Sequence, residues 1–100
     1  MYKVVLIEVI APGKREDDRA YREKSQKIFD RHGAPHKVWS IEGRKMGQVL
    51  VEFGPYDNQE EAEAIAAKIY ADEEWPSLQA KRAEAGVVVP GTQDVFILTD

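Results

Sequence analysis

Apolar positions in this hundred-residue chain change their spacing from stretch to stretch, and the changes mark out the elements. Tyr2 to Ile10 is dense in Val, Ile and Leu and reads as a strand, which Ala11-Pro12-Gly13 ends. From Glu16 to His32 the period becomes helical. Tyr21, Ser25, Ile28 and His32 fall on one face, with Ala20 and Phe29 at its edges. The other face carries Asp18/Arg22, Arg19/Glu23 and Glu23/Lys27 at i,i+4, pairs that each support a helix weakly. Gly33 stops this helix, and Pro35 prevents its resumption.

His36 to Glu42 and Gln48 to Phe53 read as two strands around a hairpin loop, Gly43 to Gly47, with Gly54-Pro55 closing the second. Asp57, with Glu60 three residues on, resembles a capping box at the start of a second helix. That helix carries its apolar stripe on Ala62, Ile65, Ala66, Ile69 and Tyr70. Proline destabilises a helix interior by roughly 3 kcal/mol, so the Trp75-Pro76 step predicts that this helix ends near Glu74. Pro76 then opens a short helix to about Ala85, where its missing N–H costs nothing. Trp75 is expected at the corner, wedged into a core. Pro90-Gly91 turns the chain into a last strand, Gln93 to Leu98.

The order β-α-β-β-α-β predicts one ferredoxin-like domain over residues 1–100, of α+β class. It would hold a four-stranded antiparallel sheet with two main helices on one face. An internal echo supports the order, since Val5-Leu6-Ile7-Glu8-Val9 resembles Val49-Leu50-Val51-Glu52-Phe53. Strand alternation applied to that echo puts Val5, Ile7, Val9, Val49, Val51 and Phe53 under the helices. It puts Leu6, Glu8, Ile10, Gln48, Leu50 and Glu52 on the opposite face, too apolar to be left in water. A second copy of the chain would cover that face, so a sheet-to-sheet homodimer is expected.

Composition narrows the chemistry. The formal charge of −4 argues against a nucleic-acid partner, which needs a basic patch. With no cysteine there is no disulfide, thiolate or Cys-based zinc chemistry. No stretch approaches the roughly 20 apolar residues of a membrane span, and Val4 to Ile10 is too short for a signal-peptide core. A cytoplasmic protein with no membrane partner is expected. His32 and His36 imitate a His-x3-His spacing, but Gly33 and Pro35 break the helix that would align them, so no metal is expected. Neither is a cofactor, since no phosphate-binding loop or nucleophile elbow is present. Trp39, Tyr70 and Trp75 read as core rather than as a cofactor box, and Glu8 with Glu52 as same-face carboxylates meeting water or a partner cation.

The element order, the late tryptophan in Asp72-Glu73-Glu74-Trp75 and the closing strand resemble the dimeric α/β-barrel superfamily. Within it the chain is most similar to NIPSNAP-type proteins, in which an Asp-Pro-Glu-Trp-like segment often ends the second helix. Antibiotic-biosynthesis monooxygenase-like proteins are close cousins. Here Glu73 stands where Pro is common, and Pro76 follows the tryptophan. The resemblance implies a substrate cleft between helices and sheet. On that implication Tyr21, Ser25, His32 and Trp75 are the expected ligand-binding residues, and the ligand a small apolar or aromatic molecule. The heme-degrading branch holds iron with a histidine on the second helix, and Asp57 to Glu74 contains none. Two alternatives stay open: a cofactor-independent enzyme of monooxygenase or isomerase type, and a non-catalytic protein-interaction module. An apolar inner strand face would favour the module by filling the core.

Overall fold

A computed structural model describes residues 1–41 and 47–100. The elements follow the expected order, the short helix after the Trp75-Pro76 step included: β1 (Tyr2–Ile10), α1 (Arg15–Arg31), β2 (His36–Ile41), β3 (Gly47–Tyr56), α2 (Gln59–Tyr70), α3 (Trp75–Ala85) and β4 (Asp94–Thr99). The sheet runs β2-β3-β1-β4, antiparallel throughout, which is the ferredoxin-like arrangement. The expected hairpin loop lies outside the described residues from Gly43 to Met46, as does Glu42 at the expected end of β2.

Local chemistry sets the element ends. Asn58, rather than Asp57, caps α2: its side chain accepts the Glu61 N–H at 2.9 Å, and the Glu61 carboxylate reaches back to the Asp57 N–H. The α2 helix stops at Tyr70, earlier than expected, because Asp72 turns the chain. Its carboxylate accepts the Glu74 N–H at 2.9 Å just ahead of α3. Trp75 opens α3 with Pro76 behind it, and Gly86 closes it in the left-handed conformation at φ 65°. Strand β3 runs through Gly54-Pro55 instead of ending there. Gly54 adopts φ 119° and gives its N–H to the Pro35 carbonyl, and the β1–β3 register shifts by one residue beside it.

Register decides which residues face the helices, and it corrects the sequence expectation. Val4 pairs with Phe53, Leu6 with Val51 and Glu8 with Val49, so odd positions of β3 share a face with even positions of β1. Paired residues project to the same side of a sheet. Leu6, Glu8 and Ile10 therefore lie under the helices beside Val49, Val51 and Phe53. Val5, Ile7 and Val9 lie on the open face beside Gln48, Leu50 and Glu52. The echo located the strands but not their pairing, and an odd shift between them exchanges the faces of one strand. The inner face is thus not uniformly apolar, because Glu8 is on it.

Two packed clusters make up the core. Tyr21, Ile28, Phe29, Ala34, Ile69 and Leu78 form one, with Phe53, Ile65 and Trp75 packed against them. Ile10, Val49, Val51 and Val87 form the second. Trp75 is half-buried at its corner, packed on Phe29 and Tyr70 with ring centroids 5.9 and 6.1 Å away. Tyr70 and Trp39 are not core: they are 67% and 45% exposed. Tyr70 ends α2 beyond the packed stripe, and Trp39 pairs with Leu50 on the open face. Among the described residues, no helix is long and apolar enough to cross a membrane.

Candidate functional site

Helix α1 buries Asp18, Tyr21, Arg22, Ser25, Ile28 and Phe29, a stripe at helical spacing of which four residues are ionic or hydroxylic. Asp18 and Arg22, expected on the solvent side, belong to it. Helix α3 buries Leu78 and, one turn on, Arg82. Glu8 points up from β1 between these helices and is 1% exposed. Four ionisable side chains thus meet in the interior.

Asp18 Oδ1 lies 3.3 Å from Arg22 Nε and accepts a hydrogen bond from Arg82 Nη2 at 3.2 Å. Arg82 Nη2 also approaches Glu8 Oε2 at 2.7 Å, and Arg22 Nη2 stands 3.5 Å from Glu8 Oε1. Two carboxylates and two guanidinium groups make the cluster neutral. Burial by itself would pull the Arg82 guanidinium down; its pairing with Glu8, helped by Tyr21 and Asp18, outweighs that and holds it above its usual value. The Arg82 guanidinium also lies 4.0 Å from the centre of the Tyr21 ring, whose hydroxyl accepts a 2.8 Å hydrogen bond from Gln79 Nε2.

The distances and the directions in this cluster disagree. By distance Glu8 is tightly ion-paired, yet among the described residues neither of its oxygens has an aligned hydrogen-bond donor. Among the same residues, Arg22 Nε and Nη2 and Arg82 Nε have no aligned acceptor. Buried polar groups are normally satisfied, and one left without a partner costs about 1–3 kcal/mol. A cavity of about 330 Å³ runs between the helices and the sheet, with Glu8, Tyr21, Arg22, Gln79 and Arg82 at one end. Leu6, Phe29, Val51, Phe53, Ile69 and Trp75 form its apolar walls, and Val95 stands on its β4 side. Tyr56 lines it too; burial and then the Glu61 carboxylate push its phenol up, so it keeps its proton.

The four residues expected at a ligand site divide. Tyr21 and Trp75 line the cavity. Ser25 is fully buried beneath α1, its hydroxyl donating to the Arg22 carbonyl at 3.2 Å. His32 sits at the C-terminal end of α1 with Nε2 2.7 Å from Asp72 Oδ2, where Arg31 Nη1 also binds at 2.9 Å. That cluster ties α1 to the α2–α3 corner. Glu8 and Glu52 are on opposite faces, and Glu52 lies 3.9 Å from Lys3 instead. His36 Nδ1 contacts the Ala34 carbonyl at 2.9 Å. Among the described residues, no group of three or more His, Cys, Asp or Glu is placed to hold a metal.

Sequence reasoning missed Arg22, Gln79 and Arg82. A signal existed, since Asp18, Tyr21, Arg22 and Ser25 follow the i, i+3, i+4, i+7 pattern of one buried stripe and Arg82 follows Leu78 by four. Charge on those positions disguised it.

No family model matches the chain, and no curated protein matches it in sequence. Solved structures match it in fold. An uncharacterized NIPSNAP domain protein from Burkholderia xenovorans superposes with a TM-score of 0.81 at 18% identity, covering 100% of this chain and 94% of that one. A NIPSNAP family protein of unknown function from Agrobacterium tumefaciens gives 0.81 at 13% identity, over 100% and 87%. An antibiotic biosynthesis monooxygenase gives 0.71 at 13% identity, over 100% and 98%. The resemblance expected from the element order and the Trp75 corner is therefore present at the level of fold.

Proposed function

We propose that the protein binds a small apolar or aromatic molecule in the cleft between helices and sheet, as a homodimer closed over the open sheet face. One observation carries the reading: a cavity of about 330 Å³ walled by aromatic and aliphatic side chains, with buried, unmatched polar atoms at one end. Ligand sites are commonly about 300–1,000 Å³ and mostly apolar, with a few convergent polar groups. Tyr21 and Trp75 contribute walls. Ser25 supports α1 behind the cluster, and His32 holds the corner that carries Trp75.

A second reading, an enzyme acting in the same cleft without a cofactor, is favoured by Glu8. A carboxylate lacking an aligned donor at the cavity is placed as a general base would be. The neighbour described as a monooxygenase lends that reading its fold only.

The test is a thermal-shift screen of small aromatic compounds on the unmodified protein and on Ala66→Phe, which fills the cavity from α2. Ligands that stabilise the unmodified protein should lose their effect on the variant. Equal stabilisation of both would move the site out of the cleft. An absence of any ligand, with Ala66→Phe more stable than the unmodified protein, would favour an interaction module.

A further inference from the structure

We infer that the ligand's polar end is an uncharged group that both donates and accepts hydrogen bonds, as a phenol, enol or amide does, and that a carboxylate or an ammonium is excluded. This rests on the cleft being the binding site. Glu8, Arg22 and Arg82 line the polar end of the cavity, each at least nine-tenths buried, and among the described residues the Glu8 oxygens, Arg22 Nε and Nη2 and Arg82 Nε lack aligned partners. A head group that only accepts would leave the Glu8 oxygens unmatched, and one that only donates would leave the guanidinium nitrogens unmatched. Charge decides the rest. Glu8, Asp18, Arg22 and Arg82 already compensate one another, so an anion would bring a third negative charge against two positive ones, and a cation the reverse. Unpaired charge inside a protein is far costlier than an unpaired dipole. A neutral hydroxyl can donate a hydrogen bond to Glu8 while its oxygen accepts one from an arginine, leaving the balance intact.

The experiment compares four probes sharing one apolar body: 2-naphthol, 2-naphthoate, 2-naphthylmethylammonium and 2-methylnaphthalene. Binding is read from Trp75 emission in a Trp39→Phe protein, because Trp75 lines the cavity and Trp39 lies on the far face of the sheet. At neutral pH, 2-naphthol should bind about tenfold or more tightly than each of the others, the scale of one hydrogen bond to a charged partner. In Glu8→Gln the cluster carries a net positive charge, and 2-naphthoate should overtake 2-naphthol. Equal or tighter binding of naphthoate, ammonium or hydrocarbon to the parent protein would overturn the head-group inference while leaving the cleft as the site. An unchanged ranking in Glu8→Gln would do the same. Should no probe change Trp75 emission saturably, the cleft reading itself falls. If Glu8→Gln does not fold, the ranking on the parent protein decides alone.

Discussion

Asp72 shows how much one side chain can organise. Its carboxylate accepts the Glu74 N–H and meets His32 and Arg31, so it both turns the chain into α3 and pins the end of α1. The Glu74 N–H first, then His32, outweigh partial desolvation and, with Arg31, hold this carboxyl below its ordinary value. A carboxyl so lowered binds its proton less readily in the folded chain than in the unfolded one. Its stabilisation is present above the ordinary unfolded value of about 3.9 and is lost as pH falls through the lower folded value. Asp72→Asn should reduce stability at neutral pH and flatten the acid decline, as read from urea midpoints across a pH series. An acid decline as steep as in the parent protein would assign it to other carboxylates. Tyr21, Ser25, Trp75 and His32 were all visible as individual residues, but only contact geometry separates the two that meet the cavity from the two that brace it.

At the scale of elements, periodicity and end signals located every strand and helix, because they act through neighbours a few residues apart. They failed where a tertiary contact overrode them. Gly54-Pro55 reads as a stop, yet β3 continues because the Gly54 N–H finds Pro35 and its backbone passes close to β1. A Cβ on Gly54 would stand 2.9 Å from the Tyr2 carbonyl oxygen, at a φ that side chains rarely adopt. At Gly86 the φ is also positive, but among the described residues a Cβ there meets nothing within 4 Å. Gly86→Ala should therefore cost about 1 kcal/mol, the left-handed penalty alone. Gly54→Ala should cost clearly more, since a backbone atom must also move. Chemical denaturation of the two variants checks the order; equal losses would show that the Gly54 approach relaxes freely.

The whole molecule has one finished face and one unfinished face. Helices cover Leu6, Glu8, Val49 and Val51, whereas Val5, Ile7, Val9, Leu50 and Trp39 lie on the side opposite them. Phe96 and Leu98 on that same side are 44% and 50% exposed. The face also carries Lys3, Lys37, Gln48 and Glu52, and this mixture of apolar and charged residues fits a second copy of the chain. Light scattering at micromolar concentration should give a dimer mass for the unmodified protein and a monomer mass for Leu50→Arg. A monodisperse monomer for the unmodified protein would remove the dimer from the proposed function.

The sequence by itself determined the element order, the fold class and the Trp75-Pro76 corner, because each follows from local spacing, turn chemistry and proline's missing donor. Tertiary structure alone decided which face of β1 looks inward. An odd pairing sum between strands leaves no trace in either strand's own pattern, yet it moves Glu8 from open surface to interior. The same structure decided that Asp18, Arg22 and Arg82 are buried. A charge is tolerated inside only when opposite charges from distant parts of the chain arrive beside it, and that meeting of β1, α1 and α3 is a property of the fold.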